Sequence, residues 1–279
     1  MNRRTDQEYL RGDQYLDAKN LNARIDLHRR FSTNHSNWFR WVFDQFQQPA
    51  DATILELGCG PGLLWEQNQE RLLEDWQVHL SDFSPGMLRE ASQNIRGISR
   101  SIFLCTLDAQ AIPYLSSTFD LVIANHMIYH IPDRPKAFSE IHRVLKPAGR
   151  FIAATNGLHH MEEIRDLLSR LDPDFANRTD HAFGVNEFTI ENGEAQLSQW
   201  FPNIQVVPFA GSLEVTEVAP MIAYILSMSA ASEIPISSQQ IQLLHHYLER
   251  EIAIGGSFHI TKSTALFIAE KKIKGTLIS

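Results

Sequence analysis

The run Ile54-Leu55-Glu56-Leu57-Gly58-Cys59-Gly60-Pro61-Gly62 constrains this chain more than any other stretch. Its apolar start reads as a buried strand, which runs into three glycines within five positions and then into a helical pattern. Glycine lets a backbone turn tightly and approach a ligand closely, because no Cβ intervenes. The start of the following helix offers N–H groups that have no partner within the helix. A strand, a glycine loop and a helix in that order suit a nucleotide-type ligand.

The pattern around this turn supports such a sheet. Strands are expected over 53–57, 77–81, 101–105, 119–124 and 150–155, with helices over 63–73, 85–95 and 135–145 between them. Strands alternating with helices of about ten residues imply parallel pairing through right-handed crossovers. Lys146-Pro147-Ala148-Gly149 reads as the stop of the third helix. Over 156–203 the alternation lapses. A helix over 158–171 ends at Asp172-Pro173, and a loop and short helix over 183–201 end at Pro202. The strand pattern resumes over 204–215, helices follow over 218–230 and 237–254, and 257–270 reads as one final strand. The first fifty residues are helical and aromatic, with Trp38, Phe39, Trp41, Phe43 and Phe46 at helical spacing. Two readings stand for that segment: a helix packed on a neighbouring domain, or a lid over a ligand.

Charge and cysteine content narrow the function. The 25 Lys and Arg against 33 Asp and Glu leave a net charge of −8, which argues against a general nucleic-acid binder. Two cysteines, Cys59 and Cys105, make no disulfide framework, so a reducing compartment is expected. The opening Met1-Asn2-Arg3-Arg4-Thr5-Asp6-Gln7-Glu8 carries no apolar run behind its arginines and does not read as a secretory signal. No stretch approaches the roughly 18 apolar residues of a membrane span. A cytoplasmic protein, monomeric or homodimeric, without nucleic-acid or membrane partners, is expected.

A dinucleotide fingerprint counted from Gly58 places its third glycine at position 63, which is Leu63. Here the third glycine comes one residue earlier, at Gly62, and an acid, Glu56, sits in the strand end. The run resembles motif I of the class I S-adenosylmethionine-dependent methyltransferases, in which the loop wraps the methionine and ribose of the cofactor. Further motifs follow in the family's order. Ser81-Asp82-Phe83-Ser84-Pro85-Gly86-Met87 follows the second strand, with Asp82 lying 24 residues after Gly58. Leu107-Asp108-Ala109 follows the third, and the fourth runs into Asn125-His126-Met127-Ile128-Tyr129-His130.

The resemblance implies S-adenosylmethionine as cofactor, with Glu56, Gly58, Cys59, Gly60 and Gly62 in its loop. It implies that Asp82 accepts from the ribose diol beside Phe83 and Met87, that Asp108 and Ala109 read adenine, and that Asn125 faces the sulfonium. The fold it implies is α/β: a doubly wound, mostly parallel seven-stranded sheet with helices on both faces, plus an N-terminal helical lid and helical cap insertions. The matching segments are a lid over 1–50, a cofactor core over 51–155, a cap insertion over 156–203, and the last strands with their helices over 204–279.

Methyl transfer from a sulfonium is an in-line displacement, so most of the catalysis can be proximity, worth up to roughly 7–11 kcal/mol. A base helps an oxygen acceptor, whereas an unprotonated amine can react without one. His126, near the end of the fourth strand, is a candidate base or orienter. His130 would share its helix face if that segment is helical. The alternatives are a structural His130, or a metal pair that no nearby carboxylate completes; no metal is expected. His159 of the His159-His160 pair is a further acceptor-side candidate. Trp38 could shield the sulfonium, and Arg30 could meet the cofactor carboxylate. The expected activity is methylation of an oxygen or nitrogen of a small molecule. The alternatives are an RNA-modifying methyltransferase and a non-catalytic cofactor-binding module.

Overall fold

The computed structural model describes residues 5–98, 100–171, 188–229 and 236–272. The expected helix stop at Asp172-Pro173 and the start of the loop at 183 lie outside these residues, as do the first four positions.

Alternating side chains build the centre. Strands β1 (Thr53–Leu57), β2 (Gln77–Asp82), β3 (Ser101–Thr106), β4 (Phe119–Asn125) and β5 (Leu145–Asn156) pair in parallel. The sheet continues through β9 (Thr264–Glu270) to β6 (Asn203–Pro208), giving the order β3-β2-β1-β4-β5-β9-β6. Strand β9 is antiparallel to both of its neighbours. Because side chains alternate across a strand, each central strand feeds two cores. Leu55, Leu57, Val122, Ala124, Phe151, Ala153 and Phe267 face one side, where Phe138, Leu197 and Phe201 from covering segments meet them. Ile54, Leu121, Ile123, Ile152, Ala154 and Leu266 face the other, against Val42, Phe43, Trp65 and Leu88.

The parallel strand order reverses between β1 and β4, so the carboxyl ends of β1, β2 and β4 open a crevice there. Helices Pro85–Asn94 and Arg134–Val144 begin beside it, each with proline in the first turn and capped by a side chain, Ser84 and Asp133 respectively. The helix expected over 63–73 is shorter, running Leu63–Glu66 and followed by a single 3₁₀ turn at Gln69–Arg71.

A third core lies off the sheet. It joins Leu27 and Phe31 of helix Lys19–Phe31 to Ile164 and Leu167 of helix Glu162–Leu171. Tyr224 and Ile225 of helix Val218–Ser229 and Leu248 of helix Ser238–Gly255 complete it. Its floor is a two-stranded ribbon of β7 (Ser212–Val215) and β8 (Phe258–Thr261). The cap therefore draws on three distant stretches: helix Lys19–Phe31, helix Glu162–Leu171, and the two helices and ribbon between 212 and 261. Helix Ile190–Leu197 packs on the sheet instead. The run 257–270, expected as one strand, and the strand pattern over 204–215 each divide between the main sheet and this ribbon. The N-terminal segment divides between two cores. Trp38–Asp44 buries Val42 and Phe43 on the sheet, while Lys19–Phe31 belongs to the cap.

Phe267 is fully buried in the middle of β9, with its ring centroid 5.4 Å from that of Phe188 at a tilt of 55°. Phe267→Ala is expected to lower the unfolding free energy by about 3–5 kcal/mol, measured by urea denaturation. A loss below about 1 kcal/mol would show that β9 is not part of the cooperative core.

Candidate active site

One cavity of about 750 Å³ occupies the crevice and runs under the cap. Its inner wall is the turn after β1. Gly58, Gly60 and Gly62 have φ of 65°, 55° and 74°, a left-handed conformation that side chains strain to adopt. A Cβ on Gly58 would lie 2.8 Å from that of Met127. Gly62 does not line the cavity. It opens helix Leu63–Glu66, and a Cβ there would lie 3.3 Å from Ala91 Cβ of the neighbouring helix.

Glu56 anchors this wall. Its carboxylate accepts from the indole N–H of Trp65 at 2.6 Å and from Asn125 Nδ2 at 3.3 Å. Loss of hydration raises its pKa to about 7, against the lowering effect of those two bonds. Asp82 accepts from the N–H groups of Gly60 at 2.9 Å and Ser84 at 2.8 Å, which fixes the turn against the end of β2. Burial raises its pKa to about 6. Phe83, Met87, Cys59 and Ala109 complete this part of the lining. Asp108 lies there too, but its oxygens accept from Gln110 and from Gln7 Nε2, the latter at 3.2 Å.

Gln7 belongs to a clasp that sequence reading missed. The segment from Gln7 to Tyr15 crosses the cavity. The Tyr15 hydroxyl lies 2.9 Å from His130 Nε2, and the Tyr15 carbonyl accepts from Ser84 Oγ at 2.7 Å. Gly86 makes room for it, since a Cβ there would lie 2.0 Å from the Leu16 carbonyl oxygen. Without apolar periodicity, this segment gave no sign of where it would dock.

The expected helical face shared by His126 and His130 does not form. His126 has φ of 52°, which turns the chain, and only a 3₁₀ turn follows over Ile128–His130. His126 faces Trp38, with ring centroids 5.2 Å apart, whereas His130 faces Tyr15. His159 does not line the cavity: it is exposed and bonded to Glu162 at 2.7 Å. Its neighbour His160 lines the cavity instead and stacks on His28 at 5.9 Å. Arg30 sits on the rim, where Glu217 and Asp26 hold its guanidinium.

Two buried polar atoms of the lining lack partners among the described residues: Asn125 Oδ1, an acceptor, and Gln14 Nε2, a donor. Such groups are costly unless a ligand or water satisfies them. With the glycine turn and the Asp82 carboxylate, they suit a polar ligand carrying both donors and acceptors, as S-adenosylmethionine does.

Comparison with known proteins finds a likeness over the central part of the chain. Residues 55–153 match the family model described as a methyltransferase domain. Over that stretch the chain is similar to the methyltransferase domain, a class whose cofactor is S-adenosylmethionine, and its sheet has the Rossmann-like fold.

Among curated proteins, it is 31% identical over 120 residues to demethylmenaquinone methyltransferase of Lactiplantibacillus plantarum, covering 42% of this chain and 51% of that protein. It is 29% identical over 120 residues to the ubiquinone/menaquinone biosynthesis C-methyltransferase UbiE of Klebsiella pneumoniae, covering 42% of this chain and 48% of that one. The chain thus spans about half the length of these relatives. Among solved structures, phosphoethanolamine N-methyltransferase 2 of Haemonchus contortus, determined with S-adenosyl-L-methionine, matches at a TM-score of 0.60 and 19% identity, over 95% of this chain and 60% of that one. The YcgJ protein of Bacillus subtilis matches at 0.55 and 16%, over 85% and 98%. These two likenesses concern the fold.

The raised pKa of Glu56 sets a pH dependence. A carboxyl whose pKa rises on folding contributes stability that is fully present below its unfolded value. That stability is lost as pH rises through the folded value, here between about 4.5 and 7. Glu56→Gln removes this loss. From pH 5 to pH 8, the stability of the variant relative to the parent should improve by about 2–3 kcal/mol, read from urea midpoints without cofactor. A difference that does not change with pH would contradict a protonated Glu56.

Proposed function

We propose that this chain is an S-adenosylmethionine-dependent methyltransferase acting on a small-molecule acceptor. The observation that carries the reading is the continuous cavity. One end has the glycine turn and Asp82, and the other extends beneath a cap built from the chain's own helices. The likeness over residues 55–153 supports the class. The relatives named as acting on quinones and the net charge of −8 favour a small acceptor over a nucleic acid.

In this reading the bound cofactor supplies an activated methyl group on a positively charged sulfur. The protein's own groups bind and orient. Asp82 retains acceptor capacity beyond its two backbone bonds and takes the ribose hydroxyls. Its raised pKa falls as these donors arrive. Asp108 takes the adenine amine once Gln7 yields its place on the carboxylate, one donor replacing another. Glu56 acts as a positioning residue: it holds Trp65 and Asn125, which leaves Asn125 Oδ1 facing the ligand. Phe83, Met87 and Ala109 supply apolar walls, and Trp38 stands at the border of the two halves.

His126 serves as an orienter rather than a base. Burial and the nearby Lys262 charge hold its pKa down to about 4, so at neutral pH the ring is neutral and a weak proton acceptor. The clasp from Gln7 to Tyr15 must open to admit ligand, and on closing it excludes water.

The test is binding of S-adenosylmethionine by calorimetry, followed by product detection with an acceptor panel. Asp82→Ala should weaken cofactor affinity by roughly 1.5–3 kcal/mol, the scale of hydrogen bonds to a charged group. An unchanged dissociation constant would remove Asp82 from the site.

A further inference from the structure

The cavity is electrically divided. Its three carboxylates, Glu56, Asp82 and Asp108, all sit at the cofactor end. The far end, under the cap, is lined by His28, His126, His160 and Lys262 and by the cap-helix residues Arg24, Arg29 and Arg30, with no acid among the lining residues there. Lys262 Nζ lies 3.3 Å from Ser32 Oγ and 5.0 Å over the Phe209 ring. Among the described residues, no carboxylate pairs with it. Its pKa is lowered by lost hydration. A lysine that gives up water inside a cavity without an acid beside it lacks half of an ion pair.

The three histidines surround that charge. Lys262 depresses the pKa of each, His28 to about 3 and His126 to about 4, with burial the larger cause. All three are therefore neutral at pH 7. His160 Nδ1 accepts from the Ser263 N–H at 3.2 Å, which leaves its Nε2 carrying the proton and free to donate. Among the described residues, no cluster has the make-up of a metal site. Of the cap-helix arginines that also line the cavity, Arg29 and Arg30 are paired with Asp26 and Glu217, and Arg24 is held by Ser227 Oγ and the Ser227 carbonyl. Lys262 is thus the charge that stands among the neutral histidines, and it suits one negative charge. The walls beside it are apolar: Trp38, Phe209, Tyr224 and Met161.

We infer that this end of the cavity holds the anionic group of the methyl acceptor, which is a monocarboxylate on an aromatic or otherwise apolar body. Lys262 is its counter-ion, and His160 and His28 are neutral hydrogen-bond partners. A phosphate monoester carries nearly two charges, one more than Lys262 alone balances. The inference rests on the methyltransferase reading for the word acceptor, but the anion site itself can be tested separately.

The test uses the full chain saturated with S-adenosylhomocysteine, with cinnamate, its neutral isostere cinnamamide, and phenyl phosphate as probes in calorimetry. Cinnamate should bind at least about tenfold tighter than cinnamamide, the scale of a charge-assisted pair. Lys262→Met should bring the two within about twofold, while Lys262→Arg keeps the preference for the acid. Both variants should bind S-adenosylhomocysteine as the parent does. Three results would overturn the inference: equal affinity for acid and amide in the parent, including no binding of either; a preference that survives Lys262→Met; or phenyl phosphate binding tighter than cinnamate. Failure of the parent to bind S-adenosylhomocysteine would instead overturn the methyltransferase reading and leave the acid preference to be judged on the free protein.

Discussion

A buried carboxylate at the end of β1 holds the architecture of the site together. Glu56 lies almost wholly out of water and is met by an indole N–H and an amide. Burying a polar group of this kind is tolerable only when its partners are fixed. Those partners belong to different elements: Trp65 to the helix after the glycine turn, and Asn125 to the end of β4. The single acid thus locks the turn, its helix and the neighbouring strand in one arrangement. The left-handed glycines follow from it, because the turn must leave β1 sharply while staying close to Met127 and to Asp82.

The second constraint is how the cap is assembled. Its helices are amphipathic and cannot bury their apolar faces alone. They close a third core with the ribbon β7–β8, and the ribbon exists because two runs of chain leave the main sheet partway along. Lys262 lies where β8 gives way to β9, and His160 lies where β5 gives way to the cap. The histidine and lysine cluster therefore forms at the seam between sheet and cap. That placement concentrates positive character at one end of the cavity and leaves the carboxylates, all at strand ends, at the other.

Much of the sheet was legible. Short apolar, β-rich runs located β1 to β5 within a residue or two, apart from the added length at the start of β5, and the glycine loop located the crevice. Glu56, Asp82 and Asp108, which line the glycine-turn end of the cavity, could be singled out in sequence because each lies in or just after a strand beside that turn. Gly62 proved to serve helix packing. The far end of the cavity was hidden. His28, His160 and Lys262 stand far apart in sequence, and no periodicity links them. His159 and His160 look alike in sequence, but only the structure shows that one bonds Glu162 at the surface while the other stacks on His28.

The sequence by itself determined the alternation of strands and helices, the place of the turn, and the chemical class of ligand that turn accepts. These depend on local conformational needs and on side-chain periodicity, which are written residue by residue. Tertiary structure alone decided which distant segments form the cap, that Gln7 sits on Asp108, and that His126 and His130 diverge. Those outcomes depend on packing between elements remote along the chain, where the burial of one face selects a partner that no local signal names.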